Sequence, residues 1–266
     1  MLDKDRIIQE LLTNLMGNNF VYLPEVDSTN TQALKMAREG APEGTVVLTS
    51  FQSAGKGRLQ RNWIANRDEN MLISILIRPE MLIDSVQKIT LASAVILIEA
   101  IESYFSQMGW EPFKIDVKWP NDLLVDGKKL AGILTESILQ GKVVESLVVG
   151  FGLNVNTPVS EMDESLRGTA TSLFELSGRK LDLESFIAHF LNTFERDYFR
   201  LDRNNYNGIV EEWKSHCQQF GKLVSLRMQD NTVEGYFEDI SAEGHLIYRL
   251  PSGKLGTLVS GDVLAY

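Results

Sequence analysis

The stretch that most constrains the fold is 86–108, where apolar residues recur on nearly every side of a predicted helix. Such a helix has no face suited to water, so other elements must cover all of it. Its longest nearly uncharged run, Leu91 to Ile98, has eight residues, whereas a membrane span needs about 20. We therefore expect a central core helix and no membrane-spanning segment.

Runs of apolar and β-branched residues on both sides of this helix predict a sheet. The dipeptide Asp126-Gly127 is a hairpin signal between two of these runs and favours a mostly antiparallel arrangement. The predicted strands are 20–23, 45–51, 71–77, 114–118, 123–125, 130–137 and 143–149.

A further helix is predicted after the first strand. It should begin within 28–32, where Thr29 and Gln32 have the spacing of a capping box. Gly40 is suited to the position just past its end.

The chain changes character twice after residue 160. Residues 160–217 have helical spacing, and the stripe Phe186, Phe190, Phe194 and Tyr198 predicts helix packing rather than a ligand site. Beyond residue 220, about five short strands predict a small β-barrel. The turn residues between these strands lie at 229–231, 242–244 and 251–253. We expect an α+β protein with domains at 1–219 and 220–266.

The composition disfavours several classes of protein. With 26 Lys+Arg and 36 Asp+Glu, the formal charge of −10 argues against a nucleic-acid partner, because such binding needs cations that displace phosphate counterions. The single cysteine, Cys217, cannot form an internal disulfide or a Cys-type zinc site. The first residues are charged and no apolar signal region follows them, so we expect a cytoplasmic protein.

One segment, 49–67, departs from this acidic balance because it contains four cations and no acid. Two glycines, Gly55 and Gly57, let its backbone fold closely around a phosphate or carboxylate. It is neither a Walker A loop nor a dinucleotide fingerprint, in which Gln60 would have to be glycine. Taken alone, a short cationic stretch is more often a solvated loop. The four cations are Lys56, Arg58, Arg61 and Arg67.

Conventional nucleophilic catalysis is disfavoured by the positions of the three histidines. His189, His216 and His245 lie in the helical and C-terminal regions, away from the cationic loop. The chemistry should instead depend on lysine and arginine side chains that position substrates and offset phosphoryl charge.

Four segments occur in order along the chain and together resemble the signature segments of biotin protein ligases. They are Ser28-Thr29-Asn30, Gln52 to Trp63, Lys118-Trp119-Pro120-Asn121-Asp122 with Lys129-Leu130-Ala131-Gly132-Ile133-Leu134, and Gly150-Phe151-Gly152-Leu153-Asn154. The resemblance runs from residue 20 or so to the C-terminus. It implies a class II synthetase-like mixed or antiparallel sheet with helices at 1–219, binding biotin and ATP, and an SH3-like β-barrel at 220–266.

The reaction that this resemblance implies has two steps. The biotin carboxylate attacks the α-phosphate of ATP, which enters with Mg²⁺, and biotinyl-5′-AMP and pyrophosphate form. A lysine of a biotin carboxyl carrier protein, as in acetyl-CoA carboxylase, then attacks the acyl carbon and releases AMP. No metal site on the protein itself is expected, and a homodimer is left open.

The resemblance also implies roles for individual residues. Lys129 is expected as the principal catalyst, with Arg58 retaining the reactive intermediate and Asp122 easing proton loss from the incoming amine. The expected biotin-binding residues are Ser28, Thr29, Asn30, Gln52, Lys56, Gly57, Arg58, Lys129 and Gly132. The expected nucleotide-binding residues are Arg58, Arg61, Trp63, Lys118, Asn121, Lys129 and Asn154.

Two features depart from the family pattern. The family loop often reads Gly-Arg-Gly-Arg-x-Gly, whereas Lys56 replaces the first arginine and Gln60 the last glycine. Lysine keeps the charge but loses bidentate geometry, so weaker phosphate contact is expected there. At the N-terminus, 3–16 predicts at most one amphipathic helix, so the winged-helix DNA-binding domain of bifunctional members is not expected.

Other interpretations of the same residues stay open. Asn121-Asp122 is typical of a turn, Trp63 and Trp119 could be core aromatics, and Lys129 could be an exposed hairpin lysine. The alternative functions are a lipoate or octanoate protein ligase and a non-catalytic biotin-sensing repressor. The 52–63 loop favours biotin, and the acidic charge opposes the repressor.

Overall fold

The computed structural model describes residues 1–201, 206–228 and 231–265, and the larger of the two sheets in these residues has seven strands. The strand order is β1-β2-β3-β7-β6-β5-β4; β1 and β2 are parallel and the other neighbours are antiparallel. The strands are β1 (Phe20–Leu23), β2 (Val46–Thr49), β3 (Met71–Ile77), β4 (Asp116–Lys118), β5 (Asp122–Val125), β6 (Lys128–Gln140) and β7 (Val143–Leu153). The mostly antiparallel arrangement is confirmed.

Six helices accompany this sheet in the described residues. They are α1 (Lys4–Gln9), α2 (Thr29–Arg38), α3 (Val86–Gln107), α4 (Leu173–Ser177), α5 (Leu183–Leu201) and α6 (Tyr206–His216). Among these residues one stretch, Ile83–Gln107, has the length and apolar composition of a membrane span, yet 78% of its most apolar window is buried inside the protein. It is the core helix that the sequence predicts.

The aromatic stripe on α5 packs into the core, as predicted. Phe186, Phe190 and Phe194 are at most 1% exposed, and Phe190 meets Phe151 of β7 with ring centroids 4.8 Å apart in an edge-on arrangement. Cys217 is also buried, and this burial raises the pKa of its thiol to about 12.

The predicted capping box at the start of α2 is wrong. Ser28 is the N-cap and makes no side-chain cap hydrogen bond. The Thr29 backbone N–H instead donates to Gln52 Oε1 at 2.8 Å, and Gln32 donates to Asp27 Oδ1 at 3.0 Å. A distant side chain therefore satisfies the helix start, while Gly40, with a φ of 86°, lies just past the helix end as predicted.

The C-terminal segment forms a second, antiparallel sheet in the order β11-β10-β9-β8-β12. Its strands are β8 (Leu223–Met228), β9 (Asn231–Ile240), β10 (Leu246–Arg249), β11 (Leu255–Leu258) and β12 (Asp262–Ala265). Gln229 and Asp230, in the first predicted turn, lie outside the described residues. The five strands agree with the sequence pattern, while the barrel shape and the boundary at 219/220 stay predictions.

The two sheets are joined by a buried side chain. Trp119, which precedes β5, is 1% exposed and donates its indole N–H to the backbone oxygen of Gly244 at 3.0 Å. Trp119 is thus a core aromatic, one of the alternatives left open by the sequence.

We predict that Phe190→Ala lowers the free energy of unfolding by about 3–5 kcal/mol, because it leaves a cavity beside Phe151. Urea unfolding followed by circular dichroism measures the change. Phe199→Ala, on the same helix but 42% exposed, is the control and should cost less than about 1 kcal/mol. Equal losses in the two variants would contradict the assignment of this stripe to the core.

Candidate active site

One cleft collects nearly all of the residues proposed from the sequence. It lies between the seven-stranded sheet, the loop 55–63 and the start of β12, and we call it the main cleft. Of the proposed residues, Asn154 alone lies outside its lining and borders a neighbouring cleft. The proposed residues in the main cleft are Ser28, Thr29, Asn30, Gln52, Lys56, Gly57, Arg58, Arg61, Trp63, Lys118, Asn121, Asp122, Lys129 and Gly132.

The end of the main cleft at the start of α2 is polar and uncharged at its surface. Thr29 and Asn30 are buried there. Gln52 Oε1 accepts from the Thr29 backbone N–H at 2.8 Å and lies 3.2 Å from the Thr29 hydroxyl. Neutral donors and acceptors in a fixed arrangement suit a neutral polar group on a ligand.

The other end of the main cleft is cationic. Lys129 Nζ forms an ion pair with Asp122 Oδ1 at 2.8 Å. Lys118 lines the same cleft. Burial lowers the pKa of Lys118, an effect that Asp122 opposes and Lys129 adds to. Several partly buried cations held near one another make a site for a strongly negative ligand.

The β5–β6 hairpin explains why Lys129 faces the cleft. Asp126 and Gly127 form its turn, with φ values of 50° and 74°. Lys128 is exposed, whereas the Lys129 backbone N–H donates to Thr169 O at 2.8 Å and its carbonyl accepts from Thr171 at 2.9 Å. Both backbone polar groups of Lys129 are therefore bonded to the segment 169–171, and Lys129 is not an exposed hairpin lysine.

Trp63 forms a wall between the main cleft and its neighbour. Its indole packs on Gly152, where a Cβ would lie 2.4 Å from Trp63 Cε2, so no other residue fits. Lys129 Nζ lies 5.5 Å from the ring centroid of Trp63, a distance suited to a cation–π contact. The ring thus supports the lysine and lines both clefts.

The neighbouring cleft, which we call the second cleft, has a more apolar lining than the main cleft. Asn154 lies at its edge and donates its side-chain amide to Thr171 O at 3.0 Å. Lys118, Asp122 and Lys129 are shared with the main cleft. Its apolar walls come from Ile64, Leu124, Leu166, Ala170 and Leu264.

The cationic loop is folded back against a carboxylate from β12. Arg61 Nη2 lies 2.9 Å from Asp262 Oδ2 and Arg58 Nε lies 3.8 Å from Asp262 Oδ1. Arg58 also donates to Gly261 O at 2.9 Å, and burial lowers the pKa of its guanidinium. Gln60 has a φ of 60°, a conformation that favours glycine, which agrees with the glycine that the resemblance leads us to expect at this position.

One expectation about the histidines is wrong. His245 lines a groove together with the loop residues 56–62, because the C-terminal sheet folds back beside the loop. His189 and His216 line neither of the two clefts described above. No histidine lines the main cleft within the described residues.

Known proteins place this arrangement in a family. The sequence model of the Biotin/lipoate A/B protein ligase family matches residues 22–154, half of the chain. The model of the Biotin protein ligase C terminal domain matches residues 220–265. The chain belongs to the biotin protein ligase family.

Relatives and solved structures agree with this placement of the ligase. The bifunctional ligase/repressor BirA of Bacillus spizizenii is 32% identical over 262 residues, covering 98% of this chain and 78% of that protein. A biotin–[acetyl-CoA-carboxylase] ligase of Paracoccus denitrificans is 30% identical over 233 residues, or 87% and 95% of the two chains. The biotin protein ligase of Aquifex aeolicus, solved with biotin and ATP, shares the fold with a TM-score of 0.76, 24% identity and coverage of 94% and 99%.

Three polar residues at or behind the ligase site were not predicted from the sequence. Asp262 lies on β12, some 200 positions from the loop arginines that it pairs with. Ser74 on β3 and Glu136 on β6 contact Asn30, although neither belongs to a recognisable motif. Only the inward-facing serine in the otherwise apolar strand Met71–Ile77 was a signal in the sequence.

Asn121 has a structural contact besides its proposed role in the ligase. Its side-chain amide donates to the backbone oxygen of Ile133 at 2.8 Å, and its backbone carbonyl accepts from the Ile133 N–H at 3.0 Å. These bonds tie the segment before β5 to β6. Its contact with nucleotide stays a prediction.

We predict that Asp262→Asn loosens the cationic loop of the ligase, because both arginines lose their anionic partner. Limited trypsin digestion read by mass spectrometry should show cleavage after Lys56, Arg58 or Arg61 about tenfold faster, equivalent to about 1.4 kcal/mol. Asp239→Asn is the matched control, because it removes an exposed side-chain carboxylate of the C-terminal sheet that is paired with Lys214. An equal rate increase in both variants would contradict the specific role of Asp262.

Proposed function

We propose that this ligase couples biotin to a lysine of a biotin carboxyl carrier domain, using ATP and passing through biotinyl-5′-AMP. The observation that carries the proposal is the polarity of the main cleft, which is neutral beside Thr29 and Gln52 and cationic beside Lys129 and Arg58. Biotin has a neutral ureido head and an anionic carboxylate tail, so its two ends match the two ends of this cleft.

The first step needs stabilisation of charge more than covalent catalysis. A carboxylate oxygen of biotin attacks the α-phosphorus of ATP, the bond to the bridging oxygen breaks, and pyrophosphate leaves. Negative charge grows between the biotin carboxylate and the α-phosphate, where Lys129 Nζ and the Arg58 guanidinium would offset it. Lys129 is well placed for this because Trp63 and its own backbone contacts hold it in the cleft.

The second step transfers the acyl group to the acceptor. The carrier lysine attacks the acyl carbon as a free amine, AMP leaves, and the amine loses a proton. Asp122 lies in the main cleft with one carboxylate oxygen 2.8 Å from Lys129 Nζ. We propose that its carboxylate orients the amine and accepts this proton.

The second cleft is the place proposed for the nucleoside part of ATP. Its apolar walls suit an adenine ring, while Lys118 and Lys129 at its border suit phosphates. The lowered pKa of Lys118 fits a lysine that is desolvated until an anion binds. We propose that Mg²⁺ enters the site bound to ATP and retains several of its water ligands.

The acceptor is proposed to be the carrier protein of acetyl-CoA carboxylase or a related carboxylase. The Paracoccus denitrificans relative bears the name of a ligase acting on acetyl-CoA carboxylase, which supports this choice. A cytoplasmic location, the absence of nucleic-acid and membrane partners, and a homodimer remain proposals based on the sequence.

Mass spectrometry of a carrier domain incubated with ATP and one acid at a time tests the function directly. We expect the mass increase of one biotinyl group, dependent on ATP and on the acceptor lysine. Modification by octanoate or lipoate in place of biotin would instead establish the lipoate ligase alternative. Tight binding to an operator DNA at physiological salt, without biotin transfer, would establish the repressor alternative.

We predict that Lys129→Ala lowers biotinyl-AMP formation by about 10²–10³-fold, because it removes a cation from the charge-forming step. Pyrophosphate release measures the rate, and calorimetry should show biotin binding preserved within about tenfold. Lys128→Ala, which removes the exposed neighbouring lysine, is the matched control and should leave the rate unchanged. Near-normal adenylation by Lys129→Ala would remove this residue from the central role.

A further inference from the structure

A chain of hydrogen bonds runs behind the neutral end of the main cleft. Asn30 Nδ2 donates to Glu136 Oε2 at 2.9 Å, and Ser74 Oγ lies 2.7 Å from both Asn30 Oδ1 and Thr29 Oγ1. Ser74 is fully buried and does not line the cleft, whereas Thr29 does. Gly150 makes room for this chain, since a Cβ there would lie 1.9 Å from Asn30 Oδ1.

The orientation of the Asn30 amide is fixed by two acceptors. Its nitrogen donates to Leu134 O at 3.1 Å and to Glu136 Oε2 at 2.9 Å. A carbonyl and a carboxylate can only accept, so the reversed amide would place oxygen against oxygen at both contacts. The Asn30 oxygen must therefore face Ser74, and both ends of this amide are occupied by protein groups.

The orientation of Asn30 determines where the hydroxyl protons of Ser74 and Thr29 lie. Ser74 has a single hydroxyl hydrogen, which must go to Asn30 Oδ1 because that atom only accepts. The Thr29 hydroxyl hydrogen then has two acceptors within reach, Ser74 Oγ at 2.7 Å and Gln52 Oε1 at 3.2 Å. We assign it to Ser74, because the shorter contact would otherwise have no hydrogen between its two oxygens. Thr29 Oγ1 thus presents lone pairs, and no hydrogen, to the cleft.

Gln52 supplies the complementary group. Its Oε1 accepts from the Thr29 backbone N–H at 2.8 Å, which leaves its amide nitrogen as the donor. The neutral end of the cleft therefore offers an acceptor on Thr29 and a donor on Gln52. A cyclic urea has an N–H and a carbonyl that match both, whereas a dithiolane ring or an alkyl chain has neither.

We propose that Ser74 is a positioning residue that selects an acid carrying a ureido N–H over lipoate or octanoate, by holding the Thr29 proton away from the ligand. The proposal rests on the proposed function and deepens it. Asn30 and Glu136 belong to the same chain of hydrogen bonds. Asn30 acts through Ser74 and Thr29 and does not contact biotin with its amide.

Ser74→Ala is the first test. We expect the Kd for biotin, measured by calorimetry, to rise roughly tenfold, because the Thr29 hydroxyl is no longer fixed as an acceptor. The KM for ATP and the kcat at saturating biotin should stay unchanged, and the inhibition constant of octanoate should change by less than about twofold. Ser146→Ala is the matched control, since Ser146 is 1% exposed and bonds Arg78 on another part of the sheet.

Combining Ser74→Ala with Thr29→Val separates positioning from general damage. If Ser74 acts through the Thr29 hydroxyl, Ser74→Ala should weaken biotin binding little further in the Thr29→Val background, although each single variant weakens it. Fully additive losses would overturn the proposal. So would an unchanged biotin Kd in Ser74→Ala, or a parallel loss of octanoate affinity.

The acid that the wild-type protein transfers distinguishes a failure of the Ser74 proposal from a failure of the proposed function. If the wild-type protein transfers biotin to the carrier while Ser74→Ala binds biotin normally, the positioning role of Ser74 is wrong and the proposed function stands. If it transfers octanoate or lipoate and not biotin, the proposed function fails, and the selection of a ureido ligand fails with it.

Discussion

Mutual repulsion among closely spaced cations is the constraint around which the active site is built. Arg58, Arg61, Lys118 and Lys129 line one cleft, and burial already lowers the pKa of Arg58 and Lys118. Two carboxylates offset the repulsion: Asp122 pairs with Lys129 and Asp262 pairs with the loop arginines. An arriving nucleotide brings further negative charge, so the site is organised in advance for anions that the protein does not itself supply.

The C-terminal sheet takes part in this organisation. Asp262 and Gly261 bind the loop arginines, and Gly244 accepts the indole N–H of Trp119. The Trp119 contact fixes the backbone beside Lys118 and Asn121, and the Asp262 contacts fix the loop above the cleft. Changes in the small sheet should therefore reach the catalytic end of the cleft through two short paths.

Local signals predicted much of this architecture, and long-range pairing explains what they missed. The core helix, the aromatic stripe and the Asp126-Gly127 hairpin follow from periodicity and turn chemistry within one segment. The capping box failed because Gln52, a residue outside the helix, takes the Thr29 N–H. Asp262 and Glu136 have no local signature, since each acquires its partner only when distant elements meet. Ser74 stands out as the one polar residue of an apolar strand, but its partners also come from a distant helix.

The hairpin that presents Lys129 carries a consequence for how this chain can vary. Lys128 and Lys129 are adjacent, yet the first faces solvent and the second faces the cleft, as alternation along a strand requires. Inserting one residue into the Asp126-Gly127 turn would slip the strand by one place and exchange the two lysines. The composition would be nearly unchanged and a positive charge would still enter the cleft, but every later residue of β6 would move to the opposite face of the sheet. The length of this two-residue turn is therefore constrained as tightly as the identity of the lysine that follows it.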